Sequence, residues 1–346
     1  MTCPGIPGST RAPIHPSGQQ RTLGEDSRDT GRADACVELA APDIGRWRAG
    51  TTGVDYVHSF AAARPGRHVL ITGLVHGNEI CGAIALDRLL GDRLRPVRGR
   101  LSLAFVNVAA YERFDPARPA ASRYLDEDFN RLWSAEVLAG PGSSRELRRA
   151  RALRPLVDSA DLLLDLHSLQ QGDEALALCG PLAKGRELAR RLGWPATVIA
   201  DRGHAAGVRL RDYAGFADPA SDKTALLVEC GQHWRAGTGR AAIEAAIRFL
   251  VAVGAVEATV ARAYGADRPA PRQRWIEVCE AVTVATAQFA FARPFRGLEV
   301  IPKAGTLIAR DGRRRIVTPF DACVLVMPSL GLKPGQTAVR LGRLVP

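Results

Sequence analysis

The chain has 346 residues, 46% apolar and 24% charged, enough for a sizeable core and two domains in a globular, soluble protein. No run reaches about 18 uncharged apolar residues, so no transmembrane helix is expected; the longest candidate, residues 241 to 260, carries Glu244, Arg248 and Glu257 and reads as a helix on a sheet. The net charge of +11 is spread along the chain, all but four of the 47 basic residues are Arg, and neither Arg313-Arg314-Arg315 nor the stretch from Arg145 to Arg154 is interleaved with aromatics. Nucleic acid and membrane are therefore not expected partners, whereas a small anionic substrate would benefit from such a field.

In chain order, residues 1 to 35 are rich in Pro, Gly, Ser and Thr without an apolar core, which is not a secretory signal but a disordered tail or an over-long translation start. Edge strands are expected at residues 36 to 39 and 54 to 60. His68 to Thr72 reads as a buried strand, Ile80 to Leu90 as a helix with apolar residues at helical spacing, and Arg100 to Asn107 as a second strand, a βαβ crossover. His76 leaves the first strand and Glu79 is expected in the first helical turn, with Gly73 and Gly77 letting backbone crowd a bound ion or substrate.

A long polar loop holds Arg123, Asp128, Asn130 and Arg131, and loops of this length are usually functional. An Arg-rich helix over residues 143 to 159 leads to a strand that ends in Asp165, Leu166, His167 and Ser168. Strands follow at 175 to 178, 196 to 199 and 224 to 231, the last ending in Glu229, then a helix from about Thr238 to Tyr264. After a Pro-rich linker at 267 to 271, short alternating runs at 275 to 285, 289 to 292, 305 to 309, 315 to 318 and 323 to 327 read as a small β domain. The fold class is α/β, a mixed sheet flanked by helices over residues 36 to 266, with a C-terminal β domain over 272 to 346.

Parallel strands bind ligands at their carboxyl ends, and His76, Glu79, His167 and Glu229 all fall there. Two imidazoles and one carboxylate suit one catalytic Zn2+ per chain, with the fourth position left to water. A HxxE pair alone is equally a surface His beside a helix-start Glu. Glu229 is the candidate general base, against a strand-end Glu paired with an Arg. Arg123 and Arg131 can divide oxyanion stabilisation and carboxylate binding between them, with Asn130 adding amide hydrogen bonds. Asp128 or Asp165 can orient a ligating imidazole, Asp165 lying on the same strand face as His167.

His15 and His58 sit in poor contexts, and His204 and His233 are weaker substrate-side candidates. The seven scattered cysteines, Cys3, Cys36, Cys81, Cys179, Cys230, Cys279 and Cys323, form no CxxC pair and read as free thiols in a reducing compartment, the cytoplasm. Cys81 and Cys230 adjoin the site but sit beside better-placed groups.

The segments GLVHGNE (73 to 79), RYLDEDFNR (123 to 131), DLHS (165 to 168) and VECG (228 to 231), in this order, resemble the succinylglutamate desuccinylase and aspartoacylase family, relatives of zinc carboxypeptidases. The resemblance implies a carboxypeptidase-like α/β domain with a β domain narrowing access to the metal. It further implies zinc at His76, Glu79 and His167, a catalytic Glu229, carbonyl polarisation by Arg123, carboxylate binding by Asn130 and Arg131, and Asp128 as the partner of His76. The stretch before Glu229, with Arg209, Arg211 and Tyr213, departs from the pattern some members use for acidic side chains, and no tyrosine follows Tyr264. Neither N-acetylaspartate nor succinylglutamate follows as the substrate.

The expected activity is hydrolysis of the amide of a small anionic N-acyl amino acid or related N-acyl amine. A zinc metallocarboxypeptidase acting on peptide C-termini is the enzymatic alternative, and a catalytically silent ligand-binding or nucleic-acid-binding module the alternative of another class. A homo-oligomer is compatible with the sequence.

Overall fold

Three largely apolar segments buried on both faces form the centre of the molecule. They are β2 (His68–Gly73), β4 (Leu162–Leu169) and β7 (Thr224–Gln232), buried along nearly their whole length in a computed structural model that describes residues 36 to 345. Together with β3 (Arg100–Phe105) they run parallel, and β1 (Val57–Ala61) closes the edge antiparallel to β3.

On the other side, β5 (Leu176–Leu178) pairs antiparallel with β7 and parallel with β6 (Thr197–Ala200), which pairs with β8 (Arg274–Thr283). The sheet continues antiparallel through β14 (Thr337–Val345), β13 (Cys323–Val326) and β10 (Glu299–Ile301). Eleven strands of the described residues thus form one sheet in the order β1-β3-β2-β4-β7-β5-β6-β8-β14-β13-β10. A second, antiparallel sheet holds β12 (Arg314–Val317), β11 (Leu307–Asp311) and β9 (Phe289–Phe291).

One face of the parallel strands packs Val69, Ile71, Leu164 and Leu166 against helices α1 (Cys81–Gly91), α3 (Ala183–Leu192) and α4 (Ala236–Ala252). The other face packs Leu70, Leu163 and Ala225 against α2 (Arg145–Ser159), Phe129 and Trp133. Leu70, Ile71, Leu163 and Leu164 are fully buried, each stabilising the fold by roughly 1.5–3 kcal/mol. Ser144 caps α2 by accepting from Leu147 N at 3.0 Å. In its first turn the buried Glu146 accepts from Leu125 N at 2.7 Å, Asp126 N at 3.1 Å and Asn107 Nδ2 at 3.2 Å, and so fixes the polar loop that carries Arg123 to Arg131.

The structure departs from the sequence expectation in four places. Residues 36 to 39 form no strand. The helix expected to reach Tyr264 stops at Ala252, where Gly254 takes a left-handed φ of 69° that ends it, and only a short turn over Val260–Ala263 follows. Strands β10 and β14 were not anticipated: β10 is only three residues long, and Arg340 and Arg343 interrupt the apolar pattern of β14, which is stabilised by its long pairing with β8. Glu79 lies before α1, not in it; its backbone N–H bonds His76 O at 3.1 Å in a tight turn. Residues 1 to 35, including Cys3 and His15, lie outside the described residues.

Candidate metal centre and hydrolytic site

At the carboxyl end of β2 the chain turns sharply between the strand and α1, and this turn carries His76 and Glu79. Here the glycines differ from expectation. A Cβ on Gly73 would meet Gly82 at 2.9 Å, and one on Gly77 would meet Ala110, Tyr111 and Ser122 backbone at 2.5 Å. They admit neighbouring backbone, not an ion, and in doing so set the turn that aims the two side chains.

His76 Nδ1 lies 2.7 Å from Glu79 Oε1, and His167 Nδ1, from the end of β4, lies 2.9 Å from Glu79 Oε2. The three ligand atoms fall within 4.8 Å of one another and all three residues are buried. Each imidazole has a carboxylate at its far nitrogen. His76 Nε2 is 3.0 Å from Asp128 Oδ1, and His167 Nε2 is 2.9 Å from Asp165 Oδ2, whose other oxygen accepts from Thr72 Oγ1 at 2.6 Å. This leaves both Nδ1 atoms converging on one carboxylate, the donor set and outer support of a three-ligand divalent metal site. Burial opposes ionisation of Glu79, but the two histidines outweigh it and hold its carboxyl well below the usual range.

Glu229 pairs in register with His167 across β4 and β7. It is buried, and its Oε2 has no hydrogen-bond partner among the described residues. Burial, opposed by His167 and aided by Glu79, pushes its carboxyl up to about 8. A buried carboxylate oxygen without a partner on the wall of a cavity is a base without a structural employment.

Arg123 reaches over the same end. It donates from Nη1 to Glu79 at 3.4 Å and from Nη2 to Asp128 at 3.2 Å, with Nη2 2.9 Å from His76 Nε2. Asn130 spends its Oδ1 on Leu210 N at 2.8 Å, which leaves its NH2 as the free end of the amide. Arg131 donates from Nη1 to the Asn130 carbonyl at 2.7 Å, and its Nη2 is 3.9 Å from Asp128.

All the candidate site residues except Asp165, which lies behind His167, line one cavity of about 520 Å³, as do His204 and His233. Cys81 Sγ donates to the His167 carbonyl at 3.5 Å and Cys230 Sγ to the Val228 carbonyl at 3.7 Å, so both thiols are used as buried packing groups.

Sequence reasoning missed two parts of this wall. One is the segment Met327 to Leu332 that follows β13; the other is Arg340 on β14, a charged residue in a mostly apolar strand. A charge flanked directly by Val339 and Leu341 was the available signal.

Residues 65 to 250 match the succinylglutamate desuccinylase/aspartoacylase catalytic domain. A succinylglutamate desuccinylase of Burkholderia orbicola is 30% identical over 308 residues, covering 82% of each chain. A probable aspartoacylase of Parasynechococcus marenigrum is 39% identical over 105 residues, 29% of this chain and 33% of that protein. Among solved structures, the succinylglutamate desuccinylase of Vibrio cholerae superposes with a TM-score of 0.61 at 17% identity, covering 84% of this chain and 86% of that one, which establishes the shared fold. With its catalytic-domain match and its relatives agreeing over most of its length, the chain belongs to the succinylglutamate desuccinylase/aspartoacylase family.

Proposed function

We propose that the protein is a zinc-dependent deacylase that hydrolyses the amide of a small N-acyl amino acid. The observation that carries the reading is Glu229: a buried carboxyl with an unpartnered oxygen on the wall of the cavity that holds the three-ligand set. The residues fit a metal by the chemistry of their donors, two imidazole nitrogens and a carboxylate with both imidazoles oriented by Asp128 and Asp165. His76, Glu79 and His167 would hold one Zn2+, which when bound supplies Lewis acidity for the carbonyl and acidifies water.

In this reading Glu229 takes the proton of the attacking water and delivers it to the leaving nitrogen, so the C–N bond breaks to a carboxylate and an amine. Arg123, its guanidinium beside Glu79 and Asp128, stabilises the oxyanion of the tetrahedral intermediate. Arg131 and the Asn130 amide anchor a substrate carboxylate. The segment Met327 to Leu332 bounds the cavity, and this supports a small substrate over the C-terminus of a long peptide. The scattered, unpaired cysteines support a cytoplasmic location.

The test is metal analysis of protein purified without added metal, followed by amine release from a panel of N-acyl amino acids. About one zinc per chain and amine release that Glu229→Gln abolishes are the expected results. No metal under replete conditions, or full activity in Glu229→Gln, overturns the proposal.

A further inference from the structure

Just past His167, the pairing of β4 with both of its neighbours fails. Register partners with β2 end at Asp165, and those with β7 pass from His167 and Glu229 directly to Leu169 and Gln232. The β7 side therefore carries one extra residue, and Ser168 has no register partner among the described residues. Gly231, within that extra length, takes a φ of 116°, a conformation that residues with a side chain rarely adopt. A bulge of this kind interrupts the ladder and re-aims the residues that follow, here His233 and Trp234.

Ser168 is nevertheless the residue on which the ligand set leans. Its backbone N–H donates to Glu79 Oε2 at 3.1 Å, the oxygen that also lies 2.9 Å from His167 Nδ1. A displaced Ser168 would turn the Glu79 carboxylate. Past the bulge the chain returns to this point twice: the His233 N–H donates to the Leu169 carbonyl at 2.8 Å, and His233 Nδ1 lies 2.7 Å from Ser168 Oγ. His233 is 1% and Ser168 4% exposed, so the bond between them is shielded from bulk water. Trp234 packs on the His233 ring, centroids 5.3 Å apart, and donates from Nε1 to the carbonyl of Asn78 at 3.2 Å. One dipeptide thus holds both Ser168, which donates to Glu79, and Asn78, which precedes it in the chain.

We propose that His233 is a positioning residue of the metal centre: its bond to Ser168 replaces the ladder lost at the bulge and so fixes the carboxylate of Glu79. His233 lines the cavity but acts through Ser168. The assignment rests on the reading of His76, Glu79 and His167 as metal ligands and uses nothing about the substrate.

Zinc affinity by chelator competition, and the visible absorption of the Co2+-loaded chain, which reports ligand geometry, are measured on the full chain and its variants. Ser168→Ala and His233→Phe should each weaken zinc about tenfold, the lower end of what partners behind a ligand contribute, and shift the Co2+ bands. The two substitutions together should cost no more than either alone, since both delete one bond. His233→Asn, whose amide can take the place of Nδ1, should restore most of the affinity, a rescue that a residue needed only for packing does not give. Native affinity and spectrum in Ser168→Ala, additive losses in the double variant, or His233→Asn no better than His233→Phe overturns the assignment. Ser168→Ala removes a single oxygen and decides even if His233→Phe does not fold.

The same measurements separate this inference from the reading on which it builds. A native chain that takes up no zinc under replete conditions overturns the metal reading and the positioning role with it. Zinc bound as tightly by the variants as by the native chain overturns the positioning role alone. Zinc bound with the expected losses, but no amine released from any N-acyl amino acid, supports the positioning role and removes the deacylase reading alone.

Discussion

The strands β2, β4 and β7 have a cavity at each end, and the two cavities differ in a way that volume does not reveal. The one at the amino ends is the larger, about 650 Å³ against about 520 Å³, and it too is lined by cations, Arg67, Arg98, Lys184 and Arg191. Those cations spend their donors on backbone carbonyls that tie neighbouring segments together. Lys184 Nζ donates to three carbonyls, of Gly215, Asp218 and Ser221, at 2.7 to 2.9 Å; Arg67 donates to Asp222 O at 3.0 Å and Arg191 to Ala252 O at 2.6 Å. At the carboxyl ends, by contrast, buried groups keep capacity in reserve: Glu229 Oε2 and Arg340 Nε have no hydrogen-bond partner among the described residues. What marks a site on this sheet is unspent hydrogen-bonding capacity beside a ligand set, not the size of the hollow.

The sharpest way to break that contrast is at Glu229. Glu229→Gln keeps the shape and removes the base, so turnover should fall by about 10²–10⁴-fold with metal content unchanged; steady-state kinetics with metal analysis reads both, and unaltered turnover would remove the carboxyl end's claim to chemistry. Next is the support behind the ligands. Asp165→Asn leaves His167 without the carboxylate at its Nε2, and metal affinity should drop roughly 10–100-fold in a chelator competition.

A smaller effect is expected at Gly77. Gly77→Ala places a methyl 2.5 Å from the backbone of Ala110, Tyr111 and Ser122, which should cost about 1–3 kcal/mol in denaturant unfolding and loosen metal binding by displacing His76.

The amino end should respond in stability alone. His68, at the start of β2, lies with Nδ1 3.1 Å from the Ser159 carbonyl and Nε2 2.8 Å from Ser102 Oγ. Burial, partly offset by the bond to Ser159, lowers its pKa below the ordinary 6.5. The unfolded chain therefore binds this proton first: the contribution of His68 to stability is complete above about pH 6.5 and is lost as pH falls through the lower folded value. Unfolding midpoints across pH 5 to 8 should show a slope that His68→Gln reduces, whereas an unchanged slope would place the titration elsewhere. Smallest of all, Arg67→Gln should shift stability by no more than about 0.5 kcal/mol and leave KM for any substrate unaltered. A raised KM in that variant would show that the amino-end cavity takes part in function after all.

Much of this arrangement was legible in the sequence for a simple reason. Strands buried on both faces are largely apolar, so the polar groups that follow the runs His68 to Thr72, Leu162 to Leu164 and Thr224 to Val228 fall in the carboxyl halves of the strands or just beyond them, and parallel pairing puts those ends on one rim. His76, Glu79, His167 and Glu229 could be read from that pattern, and Asp165 from its two-residue offset to His167. The parallel pairing itself had to be assumed, since nothing in a single strand declares its neighbours.

Other features depended on contacts between residues distant in the chain. That Gly73 and Gly77 make room for backbone follows only from where α1 and residues 110 to 122 pass. The polar loop is held by Glu146, one acid among many until α2 docks and buries it. Arg340 lies 209 residues after Arg131 on a strand whose apolar pattern its own charge interrupts, and only the pairing of β14 with β8 and β13 brings it into the cavity wall. Sequence by itself determined the donor set at the carboxyl ends of the strands, because the types of side chain and their spacing are local properties. Tertiary structure decided the charge of the cavity, because whether an arginine is solvated or buried with its countercharge already taken depends on its neighbours in space.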